Sequence, residues 1–206
     1  MVINKVLDEI FSRYSNISVL RALNKYGVGI SGREVARSAG ITVKNCFNAL
    51  NDLEDIGIIT RVRGGRDHLF SLNRERHLVK QGIIPLLEME TRFIEVIFKD
   101  IKKKLKNKCN SVYLFGSVSR KEESVGSDFD VCIIYDKKNQ RKLLEESVSE
   151  LQSYLYKRYF INVAPIYFLT STFVRLAINN KPPVTGIIKE GRLIFGKSIR
   201  DILNAG

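Results

Sequence analysis

Apolar residues recur at three- and four-residue intervals through Leu7, Ile10, Phe11, Tyr14, Val19, Leu20 and Leu23, which predicts one amphipathic helix from about Leu7 to Tyr26. Gly27 and Gly29 stop it. Ser31 is a good N-cap with Glu34 three residues on, a capping-box pattern. The short helix it opens runs through Ala39 and turns Val35 and Ala36 inward. Gly40 ends that helix and Thr42 caps the next, which presents Val43, Phe47, Leu50 and Leu53 on one face until Gly57 closes it. Two extended runs follow, Ile58–Arg63 and His68–Leu72, joined by Gly64-Gly65-Arg66-Asp67, a hairpin signal.

From His77 to Lys108 the pattern is again helical, with Leu86, Leu87, Met89, Phe93, Ile94, Ile97 and Ile101 as its apolar positions. A domain boundary is expected between about 74 and 85, giving domains 1–78 and 79–206. Past Ser111 the texture changes. Val112–Phe115 is a compact apolar strand ending at Gly116-Ser117, and Asp130–Tyr135 is a second. Gln140–Tyr159 is helical, with Leu143, Leu144, Val148, Leu151 and Leu155 on one face. Phe160–Leu169 reads as a third strand, Thr172–Asn179 as a helix and Leu193–Phe195 as a last strand, with Pro182-Pro183 before a final helical turn. Alternating strands and helices predict an α+β or mixed α/β class: a small helical module with a hairpin, then a mixed sheet flanked by helices.

Charge narrows the partners. Lys and Arg number 34 against 22 Asp and Glu, a net charge of +12, which favours polyanions and nucleic acid first. A basic enzyme that uses its charge only for solubility has the same balance. Three cysteines, Cys46, Cys109 and Cys132, stand far apart without CxxC spacing, which argues against a disulfide framework or a zinc site. Cys132, within an apolar run, is expected to be a buried small hydrophobe. No stretch approaches a membrane span and no signal-peptide pattern opens the chain, so the expectation is a cytoplasmic protein without a membrane partner.

The order helix, short helix, sharp turn, longer helix and glycine-tipped hairpin, over roughly residues 15–75, resembles a winged helix-turn-helix. That resemblance implies DNA as a partner. Thr42, Lys44, Asn45 and Asn48 would then face base edges and phosphates from the second helix of the pair. Arg61, Arg63 and Arg66 would follow the phosphate backbone or minor groove from the hairpin. A solvated helix face, or a contact with another protein, is the alternative for the same residues. A homodimer is a reasonable expectation, because such modules commonly read paired half-sites.

The sharpest chemical signal is Leu114-Phe115-Gly116-Ser117, ten residues, then Asp128-Phe129-Asp130 leading into an apolar strand. Asp128 and Asp130 stand two apart on an extended segment and project from one face. Two such carboxylates repel each other and suit a shared hard cation, and magnesium takes oxygen ligands completed by phosphates and water. Gly116 and Ser117, at a strand end, let backbone N–H groups approach a phosphate, and Arg120 and Lys121 add positive charge beside it. A polar turn capped by Ser127 is the blander account of the same acids.

The joint spacing resembles the nucleotidyltransferase superfamily that includes DNA polymerase beta and kanamycin nucleotidyltransferase, with the minimal nucleotidyltransferases nearest. The resemblance implies that Gly116 and Ser117 hold the β- and γ-phosphates of a nucleoside triphosphate. It also implies that Asp128 and Asp130, the catalytic pair, bind magnesium or manganese. The expected reaction is transfer of a nucleoside monophosphate to an acceptor hydroxyl. Members usually carry a third acid on a later strand, but the matching segment here, Tyr159 to Ile166, holds none. Asn162 is its nearest polar stand-in, and Asp136 and Glu190 are poorer substitutes. Two functions therefore stay open: a working transferase, or a nucleotide-sensing DNA-binding regulator. A third is an antitoxin acting on a cognate toxin protein.

Overall fold

A computed structural model describes residues 4–204, so the outermost residues of both expected domains lie outside the described range. Two compact units divide the chain, Met1–Arg92 and Phe93–Gly206. Among the described residues no helix is long and apolar enough to cross a membrane.

The first unit opens with two helices where the apolar spacing predicts one: α1 (Val6–Phe11) and α2 (Tyr14–Asn24). Arg13 between them is extended, with φ −136° and ψ 142°. The Ser12 hydroxyl and the Asn16 amide both donate to the Glu9 carbonyl, which gives the end of α1 local partners. β1 (Ile30–Ser31) leads into α3 (Gly32–Ala39), where Ser31 and Glu34 form the expected capping box and Gly40 closes the helix in the left-handed region. Thr42 accepts from the Asn45 N–H at the start of α4 (Val43–Asp55).

The buried face of α4 is Cys46, Ala49, Leu50 and Leu53. Val43 and Phe47, expected inside, are 50% and 38% exposed. The buried stripe is centred on the small residues Cys46 and Ala49, which lets α4 pack closely and leaves 43 and 47 on its flank. The Phe47 ring rests over Gly32, where a Cβ would crowd it, and meets Phe70 edge-on at 6.2 Å. β2 (Ile59–Gly64) and β3 (Asp67–Leu72) form the hairpin around Gly65-Arg66, and β1 pairs with β3 to make a three-stranded antiparallel sheet.

A π-helical stretch, Val79–Ile83, runs into α5 (Ile84–Leu105). The division of units falls inside α5, not near 78. Val79, Ile83 and Leu87 belong to the first core, whereas Ile97, Phe98, Ile101 and Leu105 belong to the second. One helix thus serves two cores in succession, and its composition shows no linker.

The second unit is a four-stranded sheet built from β4 (Ser111–Leu114), β5 (Phe129–Tyr135), β6 (Val163–Leu169) and β7 (Arg192–Gly196). The order is β6-β5-β4-β7, with β5 parallel to β6 and β4 antiparallel to both of its neighbours. The helices are α6 (Gly116–Arg120), α7 (Gln140–Tyr159), α8 (Thr170–Ile178), α9 (Val184–Glu190) and α10 (Ile199–Asn204). Alternation along β5 sends Val131 and Ile133 into the core with α7 and the second half of α5. Cys132 and Ile134 go into the other core, with Phe173 and Ile187. Cys132 is fully buried, as its apolar run predicts. Leu143, expected on the inner face of α7, is 61% exposed, and Leu144, Val148, Leu151 and Leu155 do the packing. β6 starts at Val163 and not at Phe160, because Phe160 ends α7 in the left-handed region at φ 56°.

Candidate functional site

The antiparallel pairing of β4 with β5 brings the end of β4 beside the start of β5. The Phe115 N–H donates to the Asp130 carbonyl at 3.0 Å, which carries the pairing one residue past the strand. Gly116 then turns at φ +74°. A side chain there would be strained, and its Cβ would collide with the Asp130 carboxylate. The acid thus lies directly against the glycine turn. Ser117 is half-buried in the first turn of α6.

Asp130 is partly withdrawn from solvent and Asp128 is exposed. Burial pushes the Asp130 carboxyl above its ordinary range, the nearby Asp128 charge pushes it the same way, and Arg120 partly offsets both. Two neighbouring carboxylates beside a backbone with no side chain in the way offer oxygen donors only. Such a set suits a magnesium ion whose other ligands are phosphate oxygens and water.

The surrounding charges are committed to one another. Arg120 donates through Nε to Glu122 and through Nη1 to Glu190, each at 2.7 Å, and the Ser119 hydroxyl donates to the Glu190 carbonyl at 2.6 Å. Lys121 caps α6 in the left-handed region and is exposed. Asp136 stands at the opposite end of β5, about 20 Å of strand from Asp130, and accepts from Asn110 and Thr170. On β6, Ala164 is level with Asp130. Asn162 is exposed, and its carbonyl accepts from the Phe129 N–H at 2.7 Å. Among the described residues no group of three or more His, Cys, Asp or Glu is placed to hold a metal ion.

In the first unit, Thr42, Lys44, Asn45 and Asn48 are exposed along the start of α4. The three hairpin arginines, two on β2 and one in the turn, differ in their surroundings. Arg61 is ion-paired to Glu54, donates to Asn51 at 2.6 Å and lies over the Phe70 ring at 5.1 Å. Arg63 is exposed beside the tip and Arg66 stands on it, next to Gly65 at φ +67°. Sequence reasoning missed Arg13, Tyr14 and Ser15, which line a cleft with Ile41, Asn45 and Asn48. The signal was the Ser12-Arg13 pair with Ser15, which the apolar spacing through Tyr14 hid.

Residues 99–200 match the family model described as Polymerase beta, Nucleotidyltransferase, which supports placing this part of the chain in the nucleotidyltransferase superfamily. No curated protein sequence matches the chain. Among solved structures, a toxin–antitoxin crystal structure with AMP-PNP is 19% identical over 52% of this chain and 82% of that one, with a TM-score of 0.35. A MarR-family transcriptional regulator from Rhodococcus sp. RHA1 is 17% identical over 48% and 78%, with a TM-score of 0.33. A ZitR double mutant from Lactococcus lactis is 13% identical over 73% and 87%, at 0.31. Scores of that size carry no argument about function.

Proposed function

We propose that the second unit binds a nucleoside triphosphate with magnesium or manganese and transfers its nucleoside monophosphate to an acceptor hydroxyl. The contact between the Asp130 carboxylate and the Gly116 turn carries this reading, because it sets a metal-suited acid against backbone that a phosphate can approach. Gly116 and Ser117 would receive the outer phosphates, and Asp128 with Asp130 would hold the metal. Bound there, the metal would neutralise phosphate charge and make the acceptor hydroxyl easier to deprotonate.

The chain's own residues position and screen. Ser117 would offer its hydroxyl and backbone N–H to the triphosphate, while Lys121 would bring positive charge to the same turn, joined by Arg120 where the phosphates draw it from Glu122 and Glu190. In the transfer, the acceptor oxygen bonds to the α-phosphorus as the bond to pyrophosphate breaks, and the hydroxyl proton leaves to solvent. The first unit would act as a winged helix-turn-helix that addresses the protein to DNA, with Thr42, Lys44, Asn45, Asn48, Arg63 and Arg66 on the DNA side.

A second reading, a nucleotide-sensing DNA-binding regulator, is favoured by the lack of any acid on β6, where Ala164 stands level with Asp130. The two separate cleanly. The protein is incubated with each α-labelled triphosphate, magnesium or manganese, and a cell extract. Label transferred to a macromolecule is the expected result, and bound but untransferred triphosphate selects the sensor. Equal retention of triphosphate by Asp128→Asn/Asp130→Asn would remove both.

A further inference from the structure

At the edge of the second sheet opposite the acids, β5 and β6 finish, β4 begins and β7 finishes. The turns there are fixed to one another. The Asn110 amide donates to Asp136 and, at 3.2 Å, to Thr170, and the Thr170 hydroxyl donates to Asp136 at 2.8 Å. The Ser111 and Tyr113 hydroxyls donate to the Lys197 carbonyl at 3.0 and 2.7 Å. Lys106, Lys137, Lys138, Lys142, Lys197 and Arg200 stand exposed around this framework. Among the described residues, none of the six takes part in an ion pair.

The acids interspersed with them, Asp136, Glu145, Glu146 and Asp201, are fewer, and three are already engaged. Asp136 has the partners just named, Asp201 accepts from the Ser198 N–H and hydroxyl, and Glu145 is paired with Arg141. Charge placed only for solubility would follow the helix dipole, which favours acids at a helix start. Here Lys137, Lys138, Arg141 and Lys142 precede or open α7, and its first turn holds no acid. These cations work against the helix they introduce. The same turns offer almost nothing apolar, since Leu143 is the one exposed large hydrophobic among their described residues. A protein partner would need an apolar centre to anchor on, whereas phosphate needs none.

We propose that this edge grips the sugar–phosphate backbone of a nucleic acid, DNA or RNA, without reading its sequence. Neighbouring strands lie about 4.8 Å apart, so the turns after β5 and β7, with β4 between them, stand about 10 Å apart. Lysines on both turns can therefore meet phosphates of one strand, which carries a charge about every 3.4 Å of helix axis. Backbone contacts of this kind fix position and carry no base readout. Asp130 lies about 20 Å of strand away, so the held segment leaves the acids free for a triphosphate and its acceptor. The surface is additional to the hairpin of the first unit, and it depends on neither that assignment nor the transferase reading.

The test uses the full chain carrying Arg63→Ala and Arg66→Ala, so that the hairpin contributes little. Fluorescence anisotropy reads binding of short labelled DNA and RNA, single- and double-stranded, in two unrelated sequences across a salt series. Lys137→Gln with Lys197→Gln is compared with Lys157→Gln and Lys189→Gln, exposed lysines off this edge whose loss removes equal charge. The edge pair is expected to weaken binding about tenfold at low salt and to make the salt slope shallower by about 1–2. Both sequences should respond alike, with melting unchanged. The control pair should change affinity by less than about twofold. The arm bound most tightly identifies DNA or RNA as the occupant. Equal losses from both pairs mean that net charge alone acts, and overturn the surface, as does a parent that binds no nucleic acid. A loss confined to one sequence overturns the absence of base readout. Poly-glutamate bound as tightly through the same lysines also overturns the proposal, and assigns the edge to an acidic protein. Labelled triphosphate binding, measured in parallel, should be the same in the edge pair, so a failure at the acids shows separately.

Discussion

The hairpin of the first unit and the acid-bearing sheet edge of the second place charge in opposite ways. At the hairpin, Arg63 near the end of β2 and Arg66 in the turn are exposed, while Phe70 and Leu72 further along β3 are buried, so the charge and the core are separate. At the sheet edge, Asp130 sits half-buried against Gly116, and burial and Asp128 both oppose its ionisation. A surface that meets a phosphate backbone can be assembled from solvated side chains at almost no cost to folding. A site that grips a cation must hold acids close together before the cation arrives, and the fold carries that repulsion.

The largest expected effect tests that contrast directly. Asp130→Asn should reduce magnesium-dependent triphosphate binding by at least about a hundredfold, since a neutral amide replaces a charged metal ligand. In magnesium-free buffer the same protein should melt higher, on the order of 2–4 °C, because a partly buried charge beside a like charge has gone. Isothermal titration and a thermal melt give the two numbers. A variant that loses binding and also melts lower would mean that Asp130 is structural, and the contrast with the hairpin would fail.

The hairpin supplies the next test, with an internal control. Arg63→Ala with Arg66→Ala should weaken duplex DNA binding about tenfold at low salt and make the salt slope shallower by about 1–2, with no change in melting. Arg61→Ala should do the reverse. It removes the ion pair to Glu54, the hydrogen bond to Asn51 and the contact with Phe70, so melting falls while the salt slope stays. If Arg61→Ala alters the slope as much as the other pair does, its partnership with α4 yields to DNA.

Local signals were legible in the sequence. The Ser31–Glu34 box, the Thr42 cap, the glycine-tipped hairpin and the strand after Asp130 all appear in the structure, because each depends on residues within a few positions of one another, although Gly64 and Asp67, read as part of the turn, pair as the last rung of the hairpin. The glycine turn and the acid pair could be named from spacing alone. Their contact could not, because it depends on β4 and β5 pairing in one register. Misplaced features share a cause. The break at Arg13 lies inside unbroken apolar spacing. The unit division lies inside one helix, and the turn at Phe160 uses a residue whose type points to strand. Pattern reports the face a residue would show in a regular element, and says little about where that element stops.

Contacts between distant residues were the least legible of all, and the Arg120–Glu190 pair, seventy positions apart, is the one that bears most on the site. Glu190 can act in either of two ways. It can hold Arg120 away from the phosphates that the guanidinium would otherwise meet, or it can supply the acid that β6 lacks. Glu190→Gln keeps the size and hydrogen-bonding atoms and removes the charge, so the sign of its effect decides. Because Arg120 keeps Glu122 and the pairs are solvent-facing, the change should be small. We expect triphosphate to bind about two- to fivefold tighter, as positive charge is released toward the glycine turn, with the magnesium dependence unaltered. Weaker binding together with a higher magnesium requirement would place Glu190 among the metal's ligands and make Arg120 its counter-ion before the metal binds. The acid-bearing edge would then take one of its acids from α9 and none from β6.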